Sequence, residues 1–206
     1  MQNNGLNNDI FLQIKEPVRS ELKIKGSRFI ASVRKVASEE EAQAAIAEIK
    51  KEFHDATHNC YAWKVGQGKK MRYRYNDDGE PNNTAGLPIL KSIDNRRLSN
   101  ILVVVTRYFG GVKLGTGGLI RAYSKATMDA LREADIEKGF LLETVTFKVS
   151  FEFVNLVHSL IANHKATLKD STYDDEVLFT VEVRESKYKE FKTKLRDGTN
   201  GQVAFV

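Results

Sequence analysis

Apolar and polar residues recur with two different periods in the first part of the chain, one typical of strands and one typical of a helix. Residues 21–36 alternate on either side of Gly26 and Ser27, which predicts two short strands joined by a tight turn. Residues 42–53 then carry small apolar side chains at helical spacing. Residues 58–66 are typical of a further strand. This part of the chain is therefore expected to pack a helix closely against a sheet.

A central strand is predicted at residues 101–105, ILVVV, because a strand that is apolar at every position must be covered on both faces. The preceding residues 67–86 contain the Gly, Asn, Asp and Pro residues of loops, and Pro88 favours the first turn of a short helix. After the strand, Gly110–Gly118 predicts a loop, and a helix is predicted from Leu119 to about residue 134.

The pattern of apolar positions changes after Lys138 and Gly139. A strand, a helix, two strands, a helix and a last strand are predicted, in that order, at residues 146–151, 156–161, 166–172, 177–183, 188–195 and 202–206. This order is that of a ferredoxin-like split βαβ domain. We therefore predict an α+β protein with two domains, residues 1–137 and residues 138–206.

The composition fits a globular protein and excludes several other classes. Of the 206 residues, 41% are hydrophobic and 29% are charged, which excludes a disordered chain and a disulfide-stapled miniprotein. The longest apolar run has five residues, whereas a membrane-spanning helix needs about 20. The N-terminus lacks the pattern of a signal peptide. The one cysteine, Cys60, has no internal disulfide partner, so we expect a reducing, cytoplasmic compartment and no membrane partner.

The net charge of +5 is confined to one part of the chain. Residues 1–137 carry 22 basic and 17 acidic residues, whereas residues 138–206 carry ten of each. Residues 72–125 alone, with nine basic and four acidic residues, account for the whole excess. Such an asymmetry favours a polyanionic partner, with nucleic acid as the first candidate. The alternative interpretation is that the charge serves solubility.

The segment from Thr106 to Lys125, TRYFGGVKLGTGGLIRAYSK, combines a buried strand, a glycine-rich loop and the start of a helix. Free N–H groups and the positive end of the helix dipole make an anion site there, and cations flank it. The candidate phosphate-binding residues are Arg107, Gly110, Gly111, Lys113, Gly115, Thr116, Gly117, Gly118, Arg121 and Lys125. The spacing matches neither a Walker A loop nor GxGxxG. Alternatively, the glycines serve a tight crossover and close packing of the helix on the sheet.

A second basic segment, Lys69–Tyr75, alternates arginine and tyrosine. If the segment is extended, Arg72 and Arg74 share one face and the tyrosines share the other, an arrangement that suits single-stranded RNA. The alternative is an edge strand or loop whose tyrosines pack inward and whose arginines are solvated. Arg96 and Arg97 are further candidates for an extended basic surface.

Between these segments lies an acidic loop, whose candidate residues are Asp77, Asp78, Glu80 and Thr84. Its carboxylates offer oxygen ligands for a hard cation or groups for acid–base chemistry. The spacing is not that of an EF-hand. The alternative is a turn in which the carboxylates accept from backbone N–H groups or pair with nearby arginines.

Other catalytic patterns are weak. His58 and Cys60 are two residues apart on one predicted strand and have no second ligand cluster for zinc. The chain contains neither GxSxG nor HExxH. The sequence therefore favours binding over catalysis and predicts no catalytic residue, no metal and no cofactor.

Several of these strings together resemble the IMPACT/YigZ family. They are the acidic loop with its following residues, Asp77–Leu90, and the segment Asn100–Ala126, which contains TRYFGGVKLGTGGLIRAYSK. Gly-Ser-Arg-Phe at residues 26–29 and His-Asn-Cys-Tyr-Ala at residues 58–62 are similar to the family as well. The resemblance runs from about residue 16 to the end of the chain. In one departure, Asn82 and Asn83 stand where the family has Ser-Gly.

The resemblance implies a fold and a class of partner. It implies an N-terminal domain like domain 2 of ribosomal protein S-five, and a ferredoxin-like C-terminal domain like domain V of the translocating elongation factor. It also implies nucleic-acid binding. Eukaryotic members regulate translation by competing for a scaffold that activates a stress kinase, through a region that includes an N-terminal domain this chain lacks.

Three hypotheses follow. The leading one is a cytoplasmic, non-catalytic protein that binds RNA or the ribosome, with DNA as a further nucleic-acid partner. The second is an enzyme acting on a phosphorylated small molecule, which requires the acidic loop to face the glycine-rich loop across a cleft. The third is a protein-interaction module in translational stress control, with a protein partner bound at an exposed apolar patch.

Overall fold

The computed structural model describes residues 9–206 of the chain. The chain divides into two compact units, Phe11–Gly139 and Phe140–Val206, and Asp9 and Ile10 belong to the second. The strands are β1 (Ile10–Ile14), β2 (Val18–Ile24), β3 (Ser27–Lys35), β4 (His58–Val65), β5 (Arg72–Asn76), β6 (Ile101–Tyr108), β7 (Ile136–Phe140), β8 (Leu142–Val149), β9 (Thr167–Tyr173), β10 (Val177–Arg184) and β11 (Ala204–Phe205). The helices are α1 (Glu39–Glu52), α2 (Gly86–Asn95), α3 (Gly115–Glu133), α4 (Val154–His164) and α5 (Glu185–Gly198).

The first unit is built on a five-stranded antiparallel sheet with the strand order β2-β3-β6-β4-β5. Ile101, Val103 and Val105 of β6 pack into a core with α2 and α3. Leu102 and Val104 pack into a second core with α1. The prediction of a central strand covered on both faces is therefore confirmed, and odd-numbered residues of β6 face α2 and α3.

Strand β5 forms where the composition of residues 67–86 predicted a loop. All five of its residues are exposed at the edge of the sheet, so no apolar alternation marks it. Its backbone pairing with β4 determines its extended conformation. The alternative interpretation of this segment as an edge strand with solvated arginines is therefore confirmed, and the prediction of a loop there is wrong. The expectation that the tyrosines pack inward is wrong as well, because Tyr73 and Tyr75 are 57% and 36% exposed.

Helix α3 begins at Gly115, about one turn before the predicted start at Leu119. Leu119 and Tyr123 are buried against the sheet and anchor the helix. This burial outweighs the low helix propensity of the glycines in the first turn. The predicted loop Gly110–Gly118 therefore ends at Leu114.

The second unit has the element order β8-α4-β9-β10-α5-β11, and its antiparallel sheet has the strand order β11-β8-β10-β9. This is the topology of a ferredoxin-like split βαβ domain, as the sequence predicted. Phe147, Phe179 and Phe191 are fully buried between the sheet and the two helices. The first strand of this unit, β8, begins and ends before the predicted bounds of residues 146–151. Its pairing with β10 extends back to Leu142, and Phe151–Phe153 forms a 3-10 turn that leads into α4.

A separate two-stranded sheet pairs β1 with β7. The sequence pattern did not predict either strand, and each has only five residues. None of the described helices is long and apolar enough to cross a membrane.

Candidate functional site

The glycine-rich loop leads from β6 into the exposed first turn of α3. No side chain within residues 9–206 caps the first N–H groups of this helix. An added Cβ at Gly117 would lie 3.4 Å from Nη1 of Arg121, so that guanidinium group lies over the first turn. Lys113 is exposed in the loop immediately before the helix. Two cations therefore lie at the positive end of the helix dipole, an arrangement that binds anions. We call residues 113–118 together with Arg121 the anion seat.

The position of the loop is fixed by a backbone contact with the turn between β2 and β3. A Cβ on Gly110 would overlap the backbone of Gly26, and one on Gly26 would lie 2.7 Å from the carbonyl oxygen of Gly110. The N–H of Gly110 donates to Oγ of Ser27 at 3.2 Å. By contrast, a Cβ on Gly111 or Gly115 would meet nothing within 4 Å. Gly110 thus serves close packing, whereas Gly111 and Gly115 leave the backbone open to a ligand.

Farther along α3, the basic face is partly neutralised. Lys125 and Arg132 both form ion pairs with Asp129, at 2.8 and 3.2 Å. Ile120 and Met128 lie exposed between these charges. The outer face of α3 therefore combines cations with apolar side chains, and its uncompensated charge is concentrated toward the anion seat.

Arg107 does not belong to this exposed surface. It is 5% exposed, on the face of β6 that meets α2 and α3. Its Nη1 donates to Oε1 of Glu80 at 2.5 Å, and the hydroxyl of Tyr123 donates to the same oxygen at 2.9 Å. The rings of Phe29 and Phe109 lie 5.5 Å from its guanidinium carbon. Burial raises the pKa of the Tyr123 hydroxyl, which therefore stays protonated as a donor.

The buried pair of Glu80 and Arg107 lines a cleft of about 350 Å³. The acidic loop forms one side, and the glycine-rich loop with the start of α3 forms the other. Its lining residues are Glu80, Pro81, Arg107, Phe109, Lys113, Leu114, Gly115, Thr116 and Leu119. The acidic loop and the glycine-rich loop thus face each other, as the enzyme hypothesis required. We call this space the Glu80 cleft.

The remaining candidates of the acidic loop stabilise the backbone. The carboxylate of Asp77 accepts from the N–H groups of Asn83, Ala85 and Gly86 at 2.8–3.0 Å, at the start of α2. Thr84 Oγ1 donates to the carbonyl oxygen of Pro81 at 2.6 Å. These contacts support the alternative interpretation of this loop as a turn with capping carboxylates.

Asp78 is also held in place by its neighbours. It accepts from Nζ of Lys50 and from the N–H of Asn59, both at 2.7 Å. Burial opposes its ionisation, but these hydrogen bonds outweigh burial and lower the pKa of its carboxyl group. Within residues 9–206, no group of three or more His, Cys, Asp and Glu side chains is placed to hold a metal ion.

Replacing Asp77 with alanine should lower the free energy of unfolding by about 2 kcal/mol, because three N–H groups at the start of α2 lose their acceptor. Asp77→Asn keeps one side-chain oxygen and should lose less than half as much. Urea unfolding followed by circular dichroism measures both variants. Equal stability of Asp77→Ala and the unmodified chain would contradict the capping role.

His58 and Cys60 each contact the backbone of the acidic loop, and within residues 9–206 they form no hydrogen bond with each other. Sγ of Cys60 lies 2.9 Å from the carbonyl oxygen of Asp77 and 3.3 Å from the Tyr123 hydroxyl oxygen, and its one proton can be donated to either. Burial raises the pKa of the Cys60 thiol, so the thiolate needed for nucleophilic attack is disfavoured. His58 Nδ1 lies 2.8 Å from the carbonyl oxygen of Asp78.

The other basic candidates lie away from the anion seat. Arg74 pairs across the sheet with Trp63, on the face covered by α1, and Arg72 shares that face. Arg96 donates to the carbonyl oxygen of Leu131 at 2.8 Å, near the C-terminal end of α3, and Arg97 follows it. The structure thus brings Lys113, the first turn of α3 and Arg121 together, but not these four arginines.

Tyr123 and Ser27, which contact Glu80 and Arg107, were not among the predicted site residues. Both lie on the side of the sheet that faces α3. The spacing of buried residues along α3 predicts that Tyr123 points inward, but not that it reaches Glu80.

Comparison with known proteins gives the family of this chain. Residues 25–131 match the Impact N-terminal domain, and residues 148–202 match a domain of unknown function, DUF1949. The chain is 36% identical to the IMPACT family member YvyE of Bacillus subtilis over 93% of this chain and 88% of the relative. The chain belongs to the IMPACT family. The IMPACT family member YigZ of Escherichia coli is 33% identical, over 92% of this chain and 94% of the relative.

Two further matches extend the IMPACT assignment. Protein IMPACT of Mus musculus is 33% identical over 93 residues, which are 43% of this chain and 29% of the mouse protein. A crystal structure described as that of a hypothetical protein is 31% identical and has a TM-score of 0.74, with 96% of this chain and 97% of that chain covered. The two-domain α+β architecture and the IMPACT resemblance inferred from the sequence are thus confirmed.

The departure from the IMPACT pattern at Asn82 and Asn83 leaves the backbone intact. Asn83 has a φ of +62°, a left-handed conformation that glycine adopts freely and asparagine tolerates better than most residues. Its N–H still donates to Asp77 at 2.8 Å. Asparagine therefore fits the position at which the family has glycine.

Proposed function

We propose that this IMPACT-family protein is a non-catalytic nucleic-acid-binding protein and that its partner is RNA, either alone or in the ribosome. The single observation that carries the proposal is the anion seat, where Lys113 and Arg121 lie at the uncapped N-terminus of α3. A backbone phosphate of RNA bound there accepts hydrogen bonds from N–H groups and is neutralised by both cations.

The surface beyond the anion seat supports a chain-like ligand. Lys125 lies one helical turn beyond Arg121, at a rise of about 6 Å, so both cations can contact the same strand. Phe109 is 47% exposed in the loop, and Ile120 and Met128 are exposed along the helix. Aromatic and apolar side chains beside cations suit the bases and phosphates of a single strand.

A role in translation, with RNA or a protein of that machinery as the partner, belongs to this proposal and follows from the resemblance described above. A cytoplasmic location is part of it too. It is supported by the free, buried thiol of Cys60, which a reducing compartment preserves.

A second candidate function, an enzyme acting on a phosphorylated small molecule, is favoured by the Glu80 cleft. Its carboxylate faces the glycine-rich loop, as that hypothesis required. However, Oε1 of Glu80 is already occupied by Arg107 and Tyr123. We therefore place binding ahead of catalysis.

Charge reversal of Arg121 and Lys125 tests the proposed function. The Arg121→Glu, Lys125→Glu double variant should bind single-stranded RNA at least about tenfold more weakly at low salt, because two phosphate contacts are lost. The slope of log K against log salt should fall by about 1.4, at about 0.7 for each phosphate on a single strand. Fluorescence anisotropy of a labelled RNA across a salt series measures both quantities.

The matched control makes the same change in net charge in the other unit. Lys148 and Lys189 are both exposed, and the Lys148→Glu, Lys189→Glu variant should keep the affinity and most of the salt slope. If the α3 variant and this control lose affinity equally, binding follows net charge and the anion seat is not the site. An unchanged affinity in the α3 variant contradicts the proposal as well.

A further inference from the structure

We infer that the Glu80 cleft receives one nucleobase whose phosphate lies in the anion seat. This inference rests on the proposed function and adds a base-binding pocket to the phosphate site. The ligand chemistry is a nucleobase joined through a sugar to a phosphate. A nucleotide within an RNA strand and a free nucleotide share that chemistry, and the experiment below distinguishes them.

The floor of the cleft contains polar atoms that have no hydrogen-bond partner among the described residues. No hydrogen bond from within residues 9–206 reaches Oε2 of Glu80, since both of its bonds are made by Oε1. Nε of Arg107 is buried and has no hydrogen-bond partner among the same residues. A buried ion pair stabilises a fold less than an apolar pair of similar volume would. Its position beneath an open cleft is explained if it recognises the polar edge of a ligand.

The walls of the cleft suit a flat, apolar-faced group. Pro81, Leu114 and Leu119 line it, and the ring of Phe109 stands half exposed at its side. The volume of about 350 Å³ lies within the range of small-ligand sites. A nucleobase combines an apolar face, which packs on such walls, with an edge of donors and acceptors that can contact Glu80.

The cleft and the anion seat share residues. Lys113, Gly115 and Thr116 line the cleft and also form the loop end and the first turn of α3. A group in the cleft therefore lies next to an anion held by the helix N-terminus. This adjacency favours a nucleotide over an uncharged aromatic compound, which would leave the cations unused, and over inorganic phosphate, which would leave the cleft empty.

Base preference in RNA binding is the first test. Labelled eight-nucleotide homopolymers of A, C, G and U are titrated at fixed salt, together with an oligomer of the same length that has no bases. We expect one homopolymer to bind at least about fivefold tighter than the others, and the base-free oligomer to bind at least about tenfold more weakly than the best.

Two variants assign that preference to the cleft. Pro81→Trp places a large side chain at the mouth of the cleft, on the side opposite the anion seat, and should reduce the preference to less than about twofold, with the salt slope unchanged. Glu80→Gln keeps an acceptor for Tyr123 and should change which base is preferred. Thermal unfolding verifies that each variant is folded. Equal binding of all five oligomers by the unmodified protein overturns the inference and leaves the proposed RNA binding intact.

Titration with free nucleotides distinguishes a nucleotide within an RNA strand from a free nucleotide as the ligand. Each nucleoside 5′-monophosphate is titrated into the protein while amide NMR signals are recorded. Shifts centred on Phe109 and Thr116 that vanish in Pro81→Trp support the cleft, even if no RNA binds and the proposed function has failed. Saturation by free nucleotides without RNA binding identifies the free nucleotide as the ligand. If neither RNA nor any nucleotide produces an effect at these residues, the inference is wrong.

Discussion

A Gly110→Ala variant should lower the free energy of unfolding of the first unit by about 3 kcal/mol or more. The added Cβ would overlap the carbonyl carbon and oxygen of Gly26 and the nitrogen of Ser27. All three are backbone atoms, so no side-chain rotation relieves the overlap. Either β6 must separate from β3, or the turn between β2 and β3 must be displaced.

A second glycine provides the control for this prediction. At Gly117, an added Cβ would meet only the flexible end of Arg121, at 3.4 Å, and alanine has the higher helix propensity. Gly117→Ala should therefore change the stability by less than about 1 kcal/mol, in the stabilising direction. Urea unfolding of both variants gives the comparison. Similar stabilities of the two variants would show that the contact between Gly26 and Gly110 is not a tight one.

Arg107→Met should lower the free energy of unfolding by about 3–5 kcal/mol, the range found when one partner of a buried ion pair is removed. The large effect comes from Glu80, whose carboxylate is 4% exposed and would keep Tyr123 as its only close donor within residues 9–206. His58 Nε2 lies 3.9 Å from the same oxygen, too far for a strong hydrogen bond.

The double variant separates the buried charge from simple loss of packing. Glu80→Gln removes the carboxylate charge and keeps an acceptor for Tyr123. Added to Arg107→Met, it should restore at least half of the lost stability, since no unpaired charge is then buried. Additive losses of the two single variants in a double-mutant cycle would mean that Glu80 and Arg107 act independently.

The sequence predicted the elements whose apolar patterns are strong. The uninterrupted run of β6 and the strict alternation of β10 identified a central strand and a ferredoxin-like unit. β5 was predicted only as one alternative, because an exposed edge strand has no apolar pattern and its conformation comes from pairing with β4. The start of α3 was misplaced because glycine propensity opposes a first turn that the burial of Leu119 and Tyr123 stabilises.

The candidate site could be predicted only in part, because pairing between charges is a property of the tertiary structure. Arg107 was grouped with Lys113 and Arg121 by proximity in the sequence. The alternation of β6 nevertheless placed it on the same inward face as Val103 and Val105, and that signal predicts a buried arginine. Which acidic residue it meets depends on a loop 27 residues away.

The contact between Gly110 and the turn at Gly26 has a consequence for protein synthesis. Gly110 and Ser27 are 83 residues apart, so the loop adopts its position only after the sheet between them has closed. A nascent chain that has released β6 but not α3 carries Arg72, Arg74, Arg96 and Arg97 but not the anion seat, because Arg121 lies in α3. The cations of such a chain attract polyanions by charge alone, because the N-terminus of α3 is not present to orient a phosphate. The phosphate binding proposed for the anion seat thus requires the completed first unit.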